Sequence, residues 1–381
     1  MKIAILHSGD LANVSLGGID RYVKNIILFS NDYEITIFGV TRNHEHEIGK
    51  TYEKEYMGVK YYFVPIISDK HYPLSIRYML KEFFWVSKLG KFDCIYAQRT
   101  EFSIPFKFSK HKNKLIQMIH GSSKYSAVFW GKKKARVQMF FEKKAIKIAA
   151  RTYVILNREE FGVPYYKKQY PKYANKFFYG RNPINTSYFY PRDKKEVRNE
   201  LGISFPTVVS FVGRVENNPK RVLLFPQLME ELIKRFPNLG FVVVGVGADL
   251  KELIKIVDEK GMSSHFIFTG YIDDMITISK YVCASDITIN ISSFEGTCTS
   301  NLESVACSVP VISTDVGDIK EIIADNANGL IIPNDEGSIV SNAVNAITQT
   351  LNNGIKMTDS YLKYDGKNVV EELKKDIWNL A

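Results

Sequence analysis

The chain has 381 residues, 45% hydrophobic and 24% charged, with a formal net charge of +10. That length exceeds one ordinary domain and suits two, each able to bury its own core. No stretch approaches eighteen uninterrupted apolar residues, and the first apolar run stops at Ser8, which excludes a spanning helix and a signal-peptide core.

In chain order, short apolar runs alternate with amphipathic segments, the pattern of β-α-β units and largely parallel sheets. The first half offers strands at Ile3–Leu6, Ile35–Val40, Val59–Val64, Cys94–Ala97, Leu115–Ile119 and Tyr153–Leu156, with helices at Ile19–Phe29, Ile76–Leu89 and Ala135–Ala149. The second half offers strands at Val208–Val212, Phe241–Val244, Phe266–Phe268, Ile287–Ile291, Val309–Ser313 and Leu330–Ile332, separated by periodic segments such as Arg221–Phe236. Between them Asn182-Pro183, Pro191 and the charged run Arg192–Glu200 break the apolar rhythm. The expected domains are 1–190 and 191–360, with 361–381 forming a helix that packs back on the first domain.

Charge divides the same way: residues 1–190 carry +17 and residues 191–381 carry −7. A basic half points to an anionic partner, whether membrane, nucleic acid or phosphorylated substrate. The cysteines Cys94, Cys283, Cys298 and Cys307 form no C-x-x-C pair and lie in or beside apolar runs, so reduced thiols and a cytosolic setting are expected.

The most informative stretch is S-S-F-E-G-T-C-T-S-N-L-E-S-V-A-C-S-V-P-V-I over 292–312. It reads as strand end, polar loop, helix and strand. A loop at Glu295–Ser300 aims free N–H groups and a helix dipole at an anion such as a diphosphate. The alternative is a capping box, with Thr299 or Ser300 as N-cap and Glu303 completing it. At 213–221, G-R-V-E-N-N-P-K-R follows a strand and fixes Arg214 and Lys220 at its C-terminal end, where open α/β sheets bind ligands. Gly17-Gly18 precede the first helix, and His120-Gly121 follow the strand Leu115–Ile119. G-V-G at 245–247 lacks a third glycine at 250, and no Asp-x-Asp is present to hold a metal on a diphosphate. His44-Glu45-His46-Glu47 sits in a polar loop and reads as solvated.

G-G before a helix, H-G after a mid-domain strand, G-R-x-x-x-x-x-K, and E-x7-E ahead of V-P-V-I resemble retaining glycosyltransferases of the GT-B fold, family 4. The likeness covers both halves and implies an α/β architecture of two Rossmann-like domains facing a central cleft. It implies that Glu295 contacts the donor sugar, Glu303 the ribose, and Gly296, Thr297, Cys298 and Thr299 the diphosphate or sugar. By the same resemblance Arg214 and Lys220 bind the diphosphate, Gly17 and Gly18 close over it, His120 faces the reacting sugar, and Tyr271 and Ile272 line the base pocket. Arg221 stands where the family commonly has glycine, Thr297 and Cys298 depart from its usual residues, Ser308 replaces a frequent glycine, and Asn182-Pro183-Ile184-Asn185 varies a common Asn-Gly segment.

The expected activity is therefore metal-independent transfer, with retention, from a nucleotide-diphosphate sugar, UDP-sugar above others, with no resident cofactor. Lys132, Lys133, Lys134, Arg136, Lys143, Lys144 and Lys147 surround Val137, Phe140 and Phe141, a make-up that suits anionic lipid. The acceptor is then a glycan or a lipid-linked molecule of envelope polysaccharide or glycoconjugate synthesis, met by a cytoplasmic enzyme resting on the inner face of the cell membrane. Two rivals are a GT-B-shaped nucleotide-sugar epimerase or hydrolase, and a basic membrane- or nucleic-acid-binding protein without transferase activity. The Lys-rich segments show no nucleic-acid reading module.

Overall fold

In the computed structural model, residues 1–11, 18–69, 74–121, 123, 131–324 and 327–376 are described. The chain divides into Met1–Pro183 together with the stretch from Gly366 onward, and Ile184–Asp365. The division thus falls at 183/184 and 365/366, against the expected 190/191 and 360/361. Asn182 and Asn185, on either side of it, are buried.

The first unit carries β1 (Lys2–Leu6), β2 (Glu34–Thr41), β3 (Tyr52–Tyr56), β4 (Val59–Ser68), β5 (Cys94–Ala97), β6 (Leu115–Ile119), β7 (Arg151–Val154) and β8 (Phe177–Tyr179). They form one sheet in the order β3-β4-β2-β1-β5-β6-β7-β8. Only β3 runs antiparallel to its neighbour. Alternate residues of β1 feed opposite layers: Ile3 and Ile5 join Tyr22, Ile26 and Tyr96, whereas Ala4 and Leu6 join Phe38, Ile95 and Phe102. A parallel sheet covered on both faces needs such apolar runs, which is why they show in the sequence. β3, Tyr-Glu-Lys-Glu-Tyr, has none; it is a half-exposed edge strand with three charged residues between two tyrosines.

The second unit carries β9 (Thr207–Val212), β10 (Leu239–Val244), β11 (Phe266–Gly270), β12 (Ile287–Asn290), β13 (Val311–Thr314) and β14 (Gly329–Ile332). Their order is β11-β10-β9-β12-β13-β14, all parallel. This is the doubly wound arrangement whose strand order reverses between β9 and β12, the place where such sheets bind ligands. Phe211, Phe225, Leu228, Phe241 and Ile289 centre its core.

Three expected elements differ. The helix expected at Ile76–Leu89 is two, Leu74–Glu82 and Val86–Leu89, separated by a turn that leaves Phe84 77% exposed. The periodic segment Arg221–Phe236 starts as a 3₁₀ turn, Val222–Leu224, and becomes α-helical at Phe225–Ile233. Pro226 lacks the N–H an interior helical position requires and is tolerated only in the first turn. The strand expected at Tyr153–Leu156 is Arg151–Val154. At the C-terminus the helix Gly366–Asp376 seats Val369, Val370 and Leu373 among Tyr22, Val23, Ile26 and Ile27 of the first unit. Lys374 adds an ion pair to Asp32 at 3.0 Å. Among the described residues no helix is long and apolar enough to cross a membrane.

Candidate functional site

In the second unit β9 ends at Val212 and the chain turns through Gly213, Arg214, Val215 and Glu216. Two glycines outside this turn make room for it. A Cβ on Gly245 would stand 2.1 Å from the Gly213 carbonyl oxygen, and one on Gly247 2.2 Å from that of Val215. The backbones are then close enough to bond: Gly213 N–H donates to Val244 O (3.0 Å) and Val215 N–H to Val246 O (2.9 Å). G-V-G at 245–247, no dinucleotide fingerprint, thus positions the arginine turn. The Asp249 carboxylate accepts from Asn217 N–H at 2.6 Å and fixes the turn's far end.

Lys220 follows, and its neighbour Pro219 accepts from Ser293 N–H at 2.8 Å, which ties this turn to the loop after β12. The Lys220 ammonium is paired with the Glu295 carboxylate, 75 positions away in sequence, and both side chains are 13% exposed. Ser292 Oγ donates to the same Glu295 oxygen at 2.9 Å. Burial works against charge on Lys220 and Arg214 adds to it, yet the Glu295 carboxylate, with Cys298, holds the lysine's pKa above its ordinary value. Lys220 therefore keeps its charge despite its burial. Arg214 stands in the same turn, six positions before Lys220, with its guanidinium paired to Glu216 at 2.9 Å. Arg221 sits in the left-handed region (φ 53°), which accounts for glycine being usual there. Its guanidinium reaches Ile291 O (3.2 Å) and Asn334 Oδ1 (2.6 Å).

The loop after β12 leads into the helix Thr299–Ala306, whose N-cap is Cys298 with no side-chain cap bond. This corrects the capping-box alternative: neither Thr299 nor Ser300 is the N-cap. Burial and the Glu295 charge push the Cys298 thiol up to about 11 against the pull of Lys220. Gly296 lies against Gly317 (φ 53°), where a Cβ would come within 1.8 Å of the Gly296 oxygen. Thr297 and Glu303 are buried, Glu303 in the second turn of the helix. Tyr271 is 42% exposed and donates its hydroxyl to Asp273 at 2.9 Å. Ile272 and Val212, at the end of β9, pack against the same buried clusters, and Gly245 N–H donates to Gly270 O at 3.1 Å. Every donor-side residue singled out in this half therefore lies at the C-terminal edge of its sheet or in the helix that follows.

In the first unit His120 donates Nε2–H to Gln98 Oε1 at 2.8 Å and meets the Tyr22 ring edge-on at 5.1 Å. Burial, with the nearby His7 and Arg99, pushes its pKa down to about 3, so the ring is neutral. Gly18 is the exposed first residue of the helix Gly18–Leu28, and Gly17 lies outside the described residues. The sequence reading missed His7, which donates Nε2–H to Asp20 at 2.8 Å. Burial raises the Asp20 pKa, but His7, Lys24 and Arg42 together bring it below the ordinary value. His7 and Gln98 directly follow β1 and β5, the strands flanking this sheet's own reversal of order, so topology was the signal that marks them. Glu142 was also missed: it accepts from Ser123 N–H (3.1 Å) and Oγ (3.0 Å), and burial lifts its pKa to about 7 against those bonds.

Glu142 faces inward on the helix Lys132–Ile148, as do Ala135, Ala145 and Ile146. Lys133, Arg136, Lys143, Lys144 and Lys147 are exposed, as are Val137, Met139 and Phe140 at 45–58%. The side chains of Lys132 and Lys134 lie outside the described set. The 3₁₀ segment Thr100–Phe108 packs between this helix and Leu74–Glu82 and leaves Phe108 88% exposed. His46 of the polar loop is packed against Tyr52 and Phe63, with its Nδ1 2.9 Å from Thr41 Oγ1.

Residues 193–368 match the family model described as glycosyl transferases group 1. The chain is 32% identical over 162 residues to the lipopolysaccharide core biosynthesis mannosyltransferase LpsB of Rhizobium meliloti (strain 1021), covering 40% of this chain and 45% of that one. It is 32% identical over 131 residues to the O-antigen biosynthesis glycosyltransferase WbnH of Escherichia coli, covering 34% and 35%. These alignments span less than half of either relative. Among solved structures, sucrose-phosphate synthase from Thermosynechococcus elongatus aligns with TM-score 0.72 at 18% identity over 98% of this chain and 94% of its own. Anabaena HepE in complex with UDP and glucose aligns with TM-score 0.72 at 14% identity over the full length of both. These likenesses establish the GT-B fold.

Proposed function

We propose that this chain, whose residues 193–368 belong to the glycosyl transferases group 1 family, transfers a sugar from a nucleotide-diphosphate donor to a glycan or lipid-linked acceptor. The observation that carries the reading is the pairing of Lys220 with Glu295 of the loop after β12, at the reversal point between β9 and β12, with Arg214 in the turn that leads to Lys220. A departing nucleoside diphosphate gains negative charge, and preorganised cations and amide N–H groups aimed at it lower the barrier without reorganising. With an ammonium, a guanidinium and a helix N-terminus in place, the leaving group is neutralised by the protein itself and no metal is required.

Glu295 binds sugar hydroxyls, Glu303 the ribose, and Tyr271 with Ile272 the base. Neutral His120 serves as a hydrogen-bonding group toward the sugar rather than as an acid. The acceptor hydroxyl attacks from the face the diphosphate leaves, so the anomeric configuration is retained. UDP is the proposed carrier, supported by HepE, solved with UDP and glucose. An envelope-glycan acceptor is supported by the names of the relatives, one of lipopolysaccharide core and one of O-antigen biosynthesis. The exposed lysines of Lys132–Ile148, with Phe140 among them, suit an anionic membrane surface, and with it a cytoplasmic enzyme held on the inner leaflet.

The test is product analysis. UDP-, GDP- and ADP-sugars are incubated with and without an envelope lipid extract, and the linkage of any product is determined by NMR. An acceptor-dependent product with the donor's anomeric configuration is expected; free sugar or an epimer regardless of acceptor would replace this reading with a hydrolase or epimerase.

A further inference from the structure

The two cations of the donor seat are already occupied by carboxylates. Lys220 holds Glu295 and Arg214 holds Glu216, so each cation has a carboxylate partner before any anion arrives. Glu216 belongs to the same turn as both cations, and its carbonyl accepts from Lys220 N–H at 3.2 Å. Charge on the enclosed Lys220 side chain depends more on a close counter-ion than charge on Arg214, 52% exposed, does. The two carboxylates therefore differ in strength as counter-ions: Glu295 closes a buried pair and Glu216 a wet one.

We infer that Glu295 and Glu216 are internal counter-ions that compete with the incoming diphosphate for Lys220 and Arg214, and that Glu216 thereby sets how strongly the seat prefers a diphosphate to a singly phosphorylated anion. The inference rests on the donor-site reading above and adds what the ligand-free carboxylates do. A ligand must replace two carboxylates, so one phosphate displaces only part of the set and two phosphates displace all of it. Once displaced, Glu295 keeps its bond from Ser292 but loses its cation. The hydroxyls of a donor sugar supply the missing donors; a bare nucleoside diphosphate does not. The sugar thus delivers Glu295 to its binding position, and after transfer the return of Glu295 to Lys220 drives the diphosphate out.

The test is isothermal titration of the full chain with inorganic pyrophosphate, inorganic phosphate, and UDP, GDP and ADP, on the parent, Glu216→Gln and Glu295→Gln. Removing the exposed competitor strengthens pyrophosphate binding about two- to fivefold in Glu216→Gln and narrows the pyrophosphate-to-phosphate preference. Removing the buried one strengthens it about ten- to a hundredfold in Glu295→Gln, because the ligand then supplies the only counter-ion for Lys220. Unchanged or weaker pyrophosphate binding in both variants overturns the inference while leaving the donor site intact. A parent that binds neither pyrophosphate nor any of the three nucleotides overturns the donor-site reading itself. Glu216→Gln removes only a half-exposed pair and keeps the test decisive if Glu295→Gln fails to fold.

Discussion

Glu142→Gln should flatten the dependence of stability on pH. The Glu142 carboxyl is 2% exposed, and burial raises its pKa from 4.5 to about 7 although Ser123 hydrogen-bonds it. Below about pH 4.5 the group is protonated in both the folded and unfolded chains, and its contribution to stability is complete. Between that pH and 7 the unfolded chain ionises while the folded one still holds the proton, so stability falls as pH rises; above 7 both are ionised and the loss is constant. The shift corresponds to a loss on the order of 3 kcal/mol across that window. Glutamine keeps an acceptor for Ser123 and cannot ionise. Urea denaturation of parent and variant at half-unit steps from pH 4.5 to 8 should show the parent losing ground steadily to Glu142→Gln, with the difference levelling near neutrality. Parallel curves across the window would refute the assignment of a proton to buried Glu142, because all other titrating groups are common to both proteins.

Gly317→Ala should destabilise the second unit by about 1–3 kcal/mol, because a left-handed residue gains a Cβ against the Gly296 carbonyl. Denaturation measures the loss, and the loop it displaces should bind pyrophosphate more weakly. Replacing Lys143, Lys144 and Lys147 with Glu should abolish co-flotation with phosphatidylglycerol vesicles, since each lysine near an anionic surface contributes about 1 kcal/mol; binding that persists in the triple variant would place the membrane contact elsewhere. Transfer should also show no inflection from His120 between pH 5 and 8, given a pKa of about 3; an inflection lost in His120→Gln would contradict the neutral ring.

Much of the architecture was visible because parallel strands buried on both faces are largely apolar runs, as in Ile3–Leu6 of β1 and Phe241–Val244 of β10. β3 was invisible because an exposed edge strand carries no such run. Lys220 and Glu295 were recognisable from their local spacing, but their pairing across 75 positions was not, since only the strand order β10-β9-β12 brings the two loops together. The same reason hid His7 with Asp20 and Gln98 with His120. Gly245, Gly247 and Gly317 show a different limit: each serves a backbone from another segment, so its purpose is absent from its own surroundings in the chain. Glu142 went unnoticed in a helix singled out for its lysines, and it is the inward residue that holds Ser123.

The most direct test of the donor site is the dissociation constant of the nucleoside diphosphate in the parent and in Lys220→Ala. Loss of a buried, charge-assisted contact to phosphate predicts binding weakened by about ten- to a hundredfold, together with turnover lowered on the order of 10²–10³. Equal affinity and turnover in the two proteins would mean that Lys220 does not hold the diphosphate, and that the edge between β9 and β12 is not the donor site.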